Sequence, residues 1–249
     1  MSVNVERRDR VLVITMQRPE KRNAVNRELA VGISTALDTL DDDDDLWVGV
    51  LTGTPEVFCA GTDLRSGGDA KTERGGEYGL IRRRRRKPLI AAVEGVAFGG
   101  GFEIALACDL IVASTTARFA LPESRRGLIP SSGALFRALR ALPVHVAKQL
   151  MITGAELTAE RAHALGVVNE VTAPGAALEA AGRLAEDVCQ SSPVAVQAIL
   201  AGVAEQFDDG DVAGWAATDR AVAAVMASSD LREGIDAFFE RRPPKWAGR

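Results

Sequence analysis

The chain has 249 residues, enough to bury a sizeable core as one large domain or as one domain with a small appendage. Hydrophobic residues make up 47% and charged residues 26%, both ordinary for a globular chain, and a net charge of −4 argues against a general nucleic-acid binder, which carries a basic excess. Three cysteines at no metal-like spacing (Cys59, Cys108 and Cys189), a charged N-terminus unlike a signal peptide and the lack of any run of roughly 18 apolar residues point to the cytoplasm, with no membrane partner.

Val3 to Glu6 and Val11 to Met16 are rich in β-formers around a charged turn and read as a hairpin. Arg18 to Asn23 reads as a loop. Beyond Asn26, which suits a helix cap, Leu29, Ile33, Leu37 and Leu40 recur at helical spacing. Asp41 to Asp45 lacks the alternating spacing and closing glutamate of a calcium loop and reads as a solvated turn. A strand follows from Trp47 to Thr52, then a small-residue turn from Phe58 to Asp63. Arg65 to Gly79 is rich in Gly, Asp, Lys and Glu; it reads as a mobile surface segment, placed where a substrate lid fits.

The basic run Arg82 to Arg86 reads as a solvated helix face before Pro88, with contact to a substrate phosphate as the alternative. Leu89 to Val93 suits a buried strand, followed by a glycine turn and an apolar helix from Phe102 to Cys108. Asp109 to Ala113 and Arg118 to Leu121 are further strands. After Pro130 helical patterns run over Ala134–Leu142, Val144–Ile152, Ala159–Leu165, Ala176–Cys189, Val194–Glu205, Val212–Met226 and Leu231–Arg241, with one late strand at Val167–Val171. The strand–helix alternation predicts an α/β core over residues 1–190 and a helical subdomain over 191–249. The two histidines, His145 and His163, fall in helical stretches and read as surface or interface side chains.

The chemistry concentrates between Leu89 and Cys108. A buried strand leads through Gly99, Gly100 and Gly101 into a helix. Glycines there permit positive φ and close approach of a ligand to the backbone. The first helical turn leaves N–H groups unpaired, which suits a phosphate or a developing oxyanion. The segment lacks the lysine of a phosphate loop and the spacing of a dinucleotide fingerprint. Glu103 in that first turn would repel phosphate but can act as a general acid or base. The turn Phe58 to Asp63 is a source of a second N–H group. Glu123, at a strand end twenty residues after Glu103, is a second carboxyl for paired acid/base work. Cys59, Cys108, Phe98 and Phe102 read as packing residues, and no metal site is expected.

Phe58-Cys-Ala-Gly-Thr-Asp63, Gly99-Gly-Gly-Phe-Glu103, Phe119-Ala-Leu-Pro-Glu123 and Gly127-Leu-Ile-Pro130 together resemble the crotonase superfamily of enoyl-CoA hydratases and isomerases. Arg18 to Ala24, Leu150 to Gly154, Gly166 to Asn169 and Glu233 to Arg242 extend the resemblance over nearly the whole chain, in order. The stretch Gly99 to Pro130 is also similar to the carnitinyl-CoA dehydratases of that superfamily. The resemblance implies a spiral of β-β-α units closed by C-terminal helices that mediate homotrimers, often paired into hexamers. It implies that the backbone N–H groups of Thr62 and Gly100 hold a thioester oxygen and that Glu103 and Glu123 are the catalytic carboxyls. Arg22, Ala24, Ala60, Asp63 and Leu64 would line the coenzyme A groove, with coenzyme A part of the substrate and no separate cofactor. The implied activity is hydration of an enoyl-CoA; the alternatives are another lyase or isomerase of the family, or a non-catalytic acyl-CoA binder.

Overall fold

The computed structural model describes residues 2–67 and 69–248. The expected hairpin forms from β1 (Val3–Arg8) and β2 (Val11–Met16), paired antiparallel with Val3 opposite Met16. The side chain of Asn26 accepts the Leu29 N–H and caps α1 (Arg27–Asp42), whose apolar stripe is buried. Then follow β3 (Val48–Thr52), β4 (Val57–Cys59) and a two-stranded hairpin of β5 (Lys71–Thr72) and β6 (Gly76–Glu77). The central motif is β7 (Leu89–Val93), β8 (Val96–Phe98) and α2 (Gly100–Ala107), succeeded by β9 (Leu110–Ser114) and β10 (Arg118–Ala120). The remainder is α3 (Ala134–Ala141), α4 (Val144–Thr153), β11 (Glu156–Thr158), α5 (Ala159–Ala164), β12 (Glu170–Thr172), α6 (Ala177–Cys189), α7 (Pro193–Glu205), α8 (Asp208–Met226) and α9 (Ser229–Glu240).

Apart from the β5–β6 hairpin, the strands of the described residues build two sheets. One has the order β1-β2-β3-β7-β9-β12 and is parallel apart from the β1–β2 hairpin; the other has the order β11-β10-β8-β4. In the pairs β3/β4, β7/β8 and β9/β10 the first strand lies in the large sheet and the second in the small one. The chain therefore spirals, depositing one strand in each sheet per turn. Period-two alternation sorts the side chains of the large sheet. Leu12, Ile14, Leu51, Ala91 and Val93 enter the main core, while Val13, Val48, Val50, Ile90 and Val112 pack against Ala177, Ala180, Ala181 and Ala185 of α6. With both faces covered, β3 and β7 are buried along their whole length, which explains their unbroken apolar runs.

Three expectations need correction. The segment Arg65 to Gly79 is a folded piece rather than a mobile one: around its β5–β6 hairpin, Ala70, Glu77 and Tyr78 are buried. Gly68, within that stretch, lies outside the described residues. The basic run Arg82 to Arg86 is neither helical nor simply solvated. Arg83 is buried and donates to Asp38 and Asp41, Arg85 to Asp109, Arg82 to Glu77, and Arg84 to Asp208. The aspartate run answers it: Asp41 is buried against Arg83, and Asp43 accepts from Arg7. The two runs meet at the buried Arg83–Asp41 pair, and their other charges are answered by partners elsewhere in the fold.

Candidate active site

Two turns bring backbone donors together. After β4, Gly61 takes φ of 102°, and a Cβ there would stand 2.9 Å from the Phe98 carbonyl oxygen and 3.3 Å from the Gly100 nitrogen. After β8, Gly99 takes φ of 55° and starts α2. The Ala60–Thr62 turn thus lies directly against the Gly99–Gly100 turn. The N–H groups of Thr62 and Gly100 donate to no other described residue, and both residues line the same cleft. Neighbouring hydrogen bonds fix the first turn: Ala60 N–H donates to Arg22 O, Val25 N–H to Gly61 O, and Asp63 N–H to Val25 O.

Each glycine of the Gly99–Gly101 run has its own steric reason. A Cβ at Gly99 would come within 2.8 Å of the Glu123 carboxyl, and one at Gly100 within 2.5 Å of the Tyr78 hydroxyl. At Gly101 it would collide with the Cys59 carbonyl. The run is the seam where α2 is pressed against the β4 turn, Tyr78 and Glu123.

Glu103 and Glu123 converge on this seam. Glu103, 2% exposed, enters from the first turn of α2, and its Oε1 accepts the N–H groups of Ser132 at 2.7 Å and Ala134 at 3.1 Å. Glu123 begins a 3₁₀ turn (Glu123–Arg126) after β10, and its Oε2 is buried without a hydrogen-bond partner among the described residues. Burial raises both carboxyls, and the Glu123 charge raises Glu103 further, so the pair ionises at about 7 and about 8. Near neutral pH the pair therefore holds a proton that ordinary carboxyls would have lost. The two amide donors on Glu103 favour its ionised form, and Arg137 acts in the same direction. Glu123 is pulled both ways: its own backbone N–H and Arg126 favour ionisation, while Oε2, buried without a partner among the described residues, favours the proton.

This predicts a pH signature in stability. The folded chain binds protons that the unfolded chain, with carboxyls near 4.5, has released. The stabilising contribution is complete below that value and is lost as pH rises through about 7 to about 8. Glu103→Gln, which does not ionise, should gain at least about 2 °C in Tm relative to the unaltered chain between about pH 5 and about pH 9. Thermal melts across that range test this, and a flat difference would contradict it.

The cleft around the seam has a volume of about 380 Å³. The sequence-derived residues Arg22, Ala24, Ala60, Thr62, Asp63, Leu64, Gly100 and Glu123 all line it; Glu103 lines an adjoining chamber that Glu123 and Thr62 also border. Asp63 is itself occupied, since its carboxylate accepts from Arg18 at 2.8 Å and from the Arg65 N–H at 3.1 Å. Its place is to brace the loop that presents Arg22. Cys59 Sγ donates to the Asn23 carbonyl, and burial pushes its thiol up to about 12, which leaves it a packing group.

Sequence reasoning missed several lining residues. Lys21, Arg65 and Arg126 add positive charge to the cleft, and Phe238 and Phe239 come from α9. Tyr78, the only tyrosine, is buried with φ of 57°, and its hydroxyl shares a 2.7 Å hydrogen bond with Thr62 Oγ1. A bulky residue held at positive φ is strained and persists only where its surroundings fix it. No periodic signal marks such a residue; the glycines around it, at 75, 76 and 79, were the available hint.

Fold and site together set two carboxyls beside two backbone N–H groups that donate to no other described residue. Comparison with known proteins identifies the family: the model described as enoyl-CoA hydratase/isomerase matches residues 6–249, and the chain belongs to that family. Among curated relatives, the carnitinyl-CoA dehydratase of Salmonella arizonae is 38% identical, covering 99% of this chain and 98% of its own. The mevalonyl-coenzyme A hydratase of Aspergillus fumigatus is 36% identical over 95% of this chain and 91% of its own. The crystal structure of a carnitinyl-CoA hydratase from Mycobacterium avium superposes with a TM-score of 0.94 at 40% identity, covering 100% of this chain and 99% of that one.

Proposed function

We propose that the chain is an enoyl-CoA hydratase that adds water across the α,β double bond of an enoyl-CoA thioester. The observation that carries the reading is the pair of carboxyls, buried Glu103 and half-buried Glu123, beside the Thr62 and Gly100 amides. In the reaction the thioester oxygen accepts from both amides. Glu103, ionised, takes a proton from water as the hydroxyl bonds to the β-carbon. Charge builds on the thioester oxygen, where each donor is worth about 10²–10³ in rate. Glu123 then gives its proton to the α-carbon. Water is consumed whole, and the proton leaving Glu123 is balanced by the one arriving at Glu103. Lys21, Arg22, Arg65 and Arg126 supply the cations for the coenzyme A phosphates along the cleft.

Two carboxyls favour hydration over double-bond isomerisation, which needs only one group to shuttle a proton. The same reading makes the protein a cytoplasmic homotrimer or a pair of trimers. Unpaired cysteines fit that compartment, and the exposed Val194, Ile199 and Val203 of α7 suit a subunit interface. It also retains the division into a core over 1–190 and a helical subdomain over 191–249. Purified protein is expected to remove the enoyl absorbance of crotonyl-CoA or of a longer enoyl-CoA. No turnover across a panel of chain lengths would overturn the proposal.

A further inference from the structure

Past the two carboxyls the cleft continues into a chamber of about 300 Å³ that shares Thr62, Leu64, Glu123 and Leu128 with it. On the acyl-CoA reading above, with the thioester at Thr62 and Gly100, this chamber receives the acyl tail. Leu64, Leu128 and Ile129 give it apolar wall near the carboxyls, but another part of the wall is ionic. Lys71 Nζ lies 3.1 Å from Glu77, and Arg82 Nε donates to the same carboxylate at 3.0 Å. The Arg82 guanidinium is spread over Trp215, 3.6 Å from its ring centre.

Donors exceed acceptors at this corner. An ammonium has three N–H donors and a guanidinium five. Glu77, buried and engaged by both, is their only side-chain acceptor among the described residues. An alkyl tail laid on these groups would strip water from them and return nothing. A tail bearing oxygen would replace the lost water. Asp219, from α8, also lines the chamber, as Glu103 and Glu123 do, and forms no salt bridge among the described residues, so a cationic tail is the rival occupant.

We propose that the chamber selects acyl groups carrying an oxygen function, a hydroxyl or a carboxylate, distal to the double bond, and holds that function with Lys71 and Arg82. Unsubstituted hydrocarbon tails of equal length are disfavoured. The selection is independent of chemistry at the carboxyls, so it is readable in binding alone.

The test uses saturated thioesters of one chain length, none of which can be hydrated: hexanoyl-CoA, 6-hydroxyhexanoyl-CoA, adipyl-CoA and 6-(trimethylammonio)hexanoyl-CoA. Their Kd values are measured by calorimetry on the full chain. The side chains of Lys71 and Arg82 are 67% and 41% exposed, so the gain is discounted for solvent: the hydroxyl and carboxylate esters should bind at least about fivefold more tightly than hexanoyl-CoA. Lys71→Met, a change at an exposed side chain that the fold tolerates, should reduce that advantage to less than about twofold. Equal or tighter binding of hexanoyl-CoA overturns the proposal, as does a preference confined to the trimethylammonium ester. A preference that survives Lys71→Met intact overturns the assignment to this corner. Failure of all four esters to bind sinks the acyl-CoA reading and this proposal with it, whereas tight binding without turnover of enoyl-CoA would sink the hydratase reading alone.

Discussion

Glu123→Gln and Glu103→Gln are each expected to lower kcat by at least about a hundredfold, the usual worth of a positioned acid or base. Glutamine keeps the shape of both side chains, so the seam at Gly99–Gly101 need not move. At position 103 an amide oxygen still accepts the Ser132 and Ala134 N–H groups, but it cannot carry away a proton from water. At position 123 the amide has no proton to give the α-carbon. Binding of a saturated CoA thioester should survive both changes, because the cations of the cleft are untouched. Stopped-flow loss of enoyl absorbance and calorimetry together separate the effects. Full hydration by Glu123→Gln would refute the two-carboxyl mechanism. Equal loss of turnover and of binding would assign the damage to a collapsed cleft.

Gly101→Ala should be nearly as severe by a different route. The added methyl meets the Cys59 carbonyl, a backbone atom that cannot swing aside. Overpacking of this kind costs about 1–3 kcal/mol, or about 2–12 °C in Tm for a chain of this size. Relief requires α2 to retreat from the β4 turn, which carries the Gly100 amide away from the Thr62 amide, so kcat should fall together with Tm. Gly182→Ala is the internal control: apart from its chain neighbours and the local backbone of its own helix, nothing lies within 4 Å of a Cβ at that position in the middle of α6. It should leave Tm unchanged or raise it, since alanine stabilises a helix interior by up to about 1 kcal/mol relative to glycine. If Gly101→Ala melts and turns over like the unaltered chain, the seam is softer than the geometry requires.

Much of the site could be read from local sequence because its determinants are local. Glycines at a strand-to-helix turn, a carboxyl in the first helical turn and a second carboxyl after a strand ending in proline are contiguous patterns, and the structure brings them to one cleft. The long elements were equally visible: β7 and the stripe of α1 lie where periodicity puts them. What stayed hidden depends on partners far along the chain. The Arg82–Arg86 run looks solvated until Asp38, Asp41, Asp109 and Asp208 are folded against it. Strands of three residues, such as β4 and β8, are too short to show a period, and each is strand only because the small sheet pairs it. Tyr78 is the extreme case. Its neighbours in sequence are polar and glycine-rich, yet it is buried by Thr62 and Gly100 from two other turns.

α9 bears on the cleft from the far end of the chain. Its Gly234 packs on the backbone of Arg126 and Gly127, while Gly127 packs in turn on Asp230, so the helix rests directly on the turn that begins with Glu123. Phe238 and Phe239 then complete the cleft wall. The turn that carries Glu123 is therefore braced by a helix far along the chain from it. The core clusters take no residue from α9, so the sheets can pack while the turn at Glu123 still lacks its support. A chain cut short before α9 would keep both carboxyls and the core yet lack the surface that holds Glu123 in place.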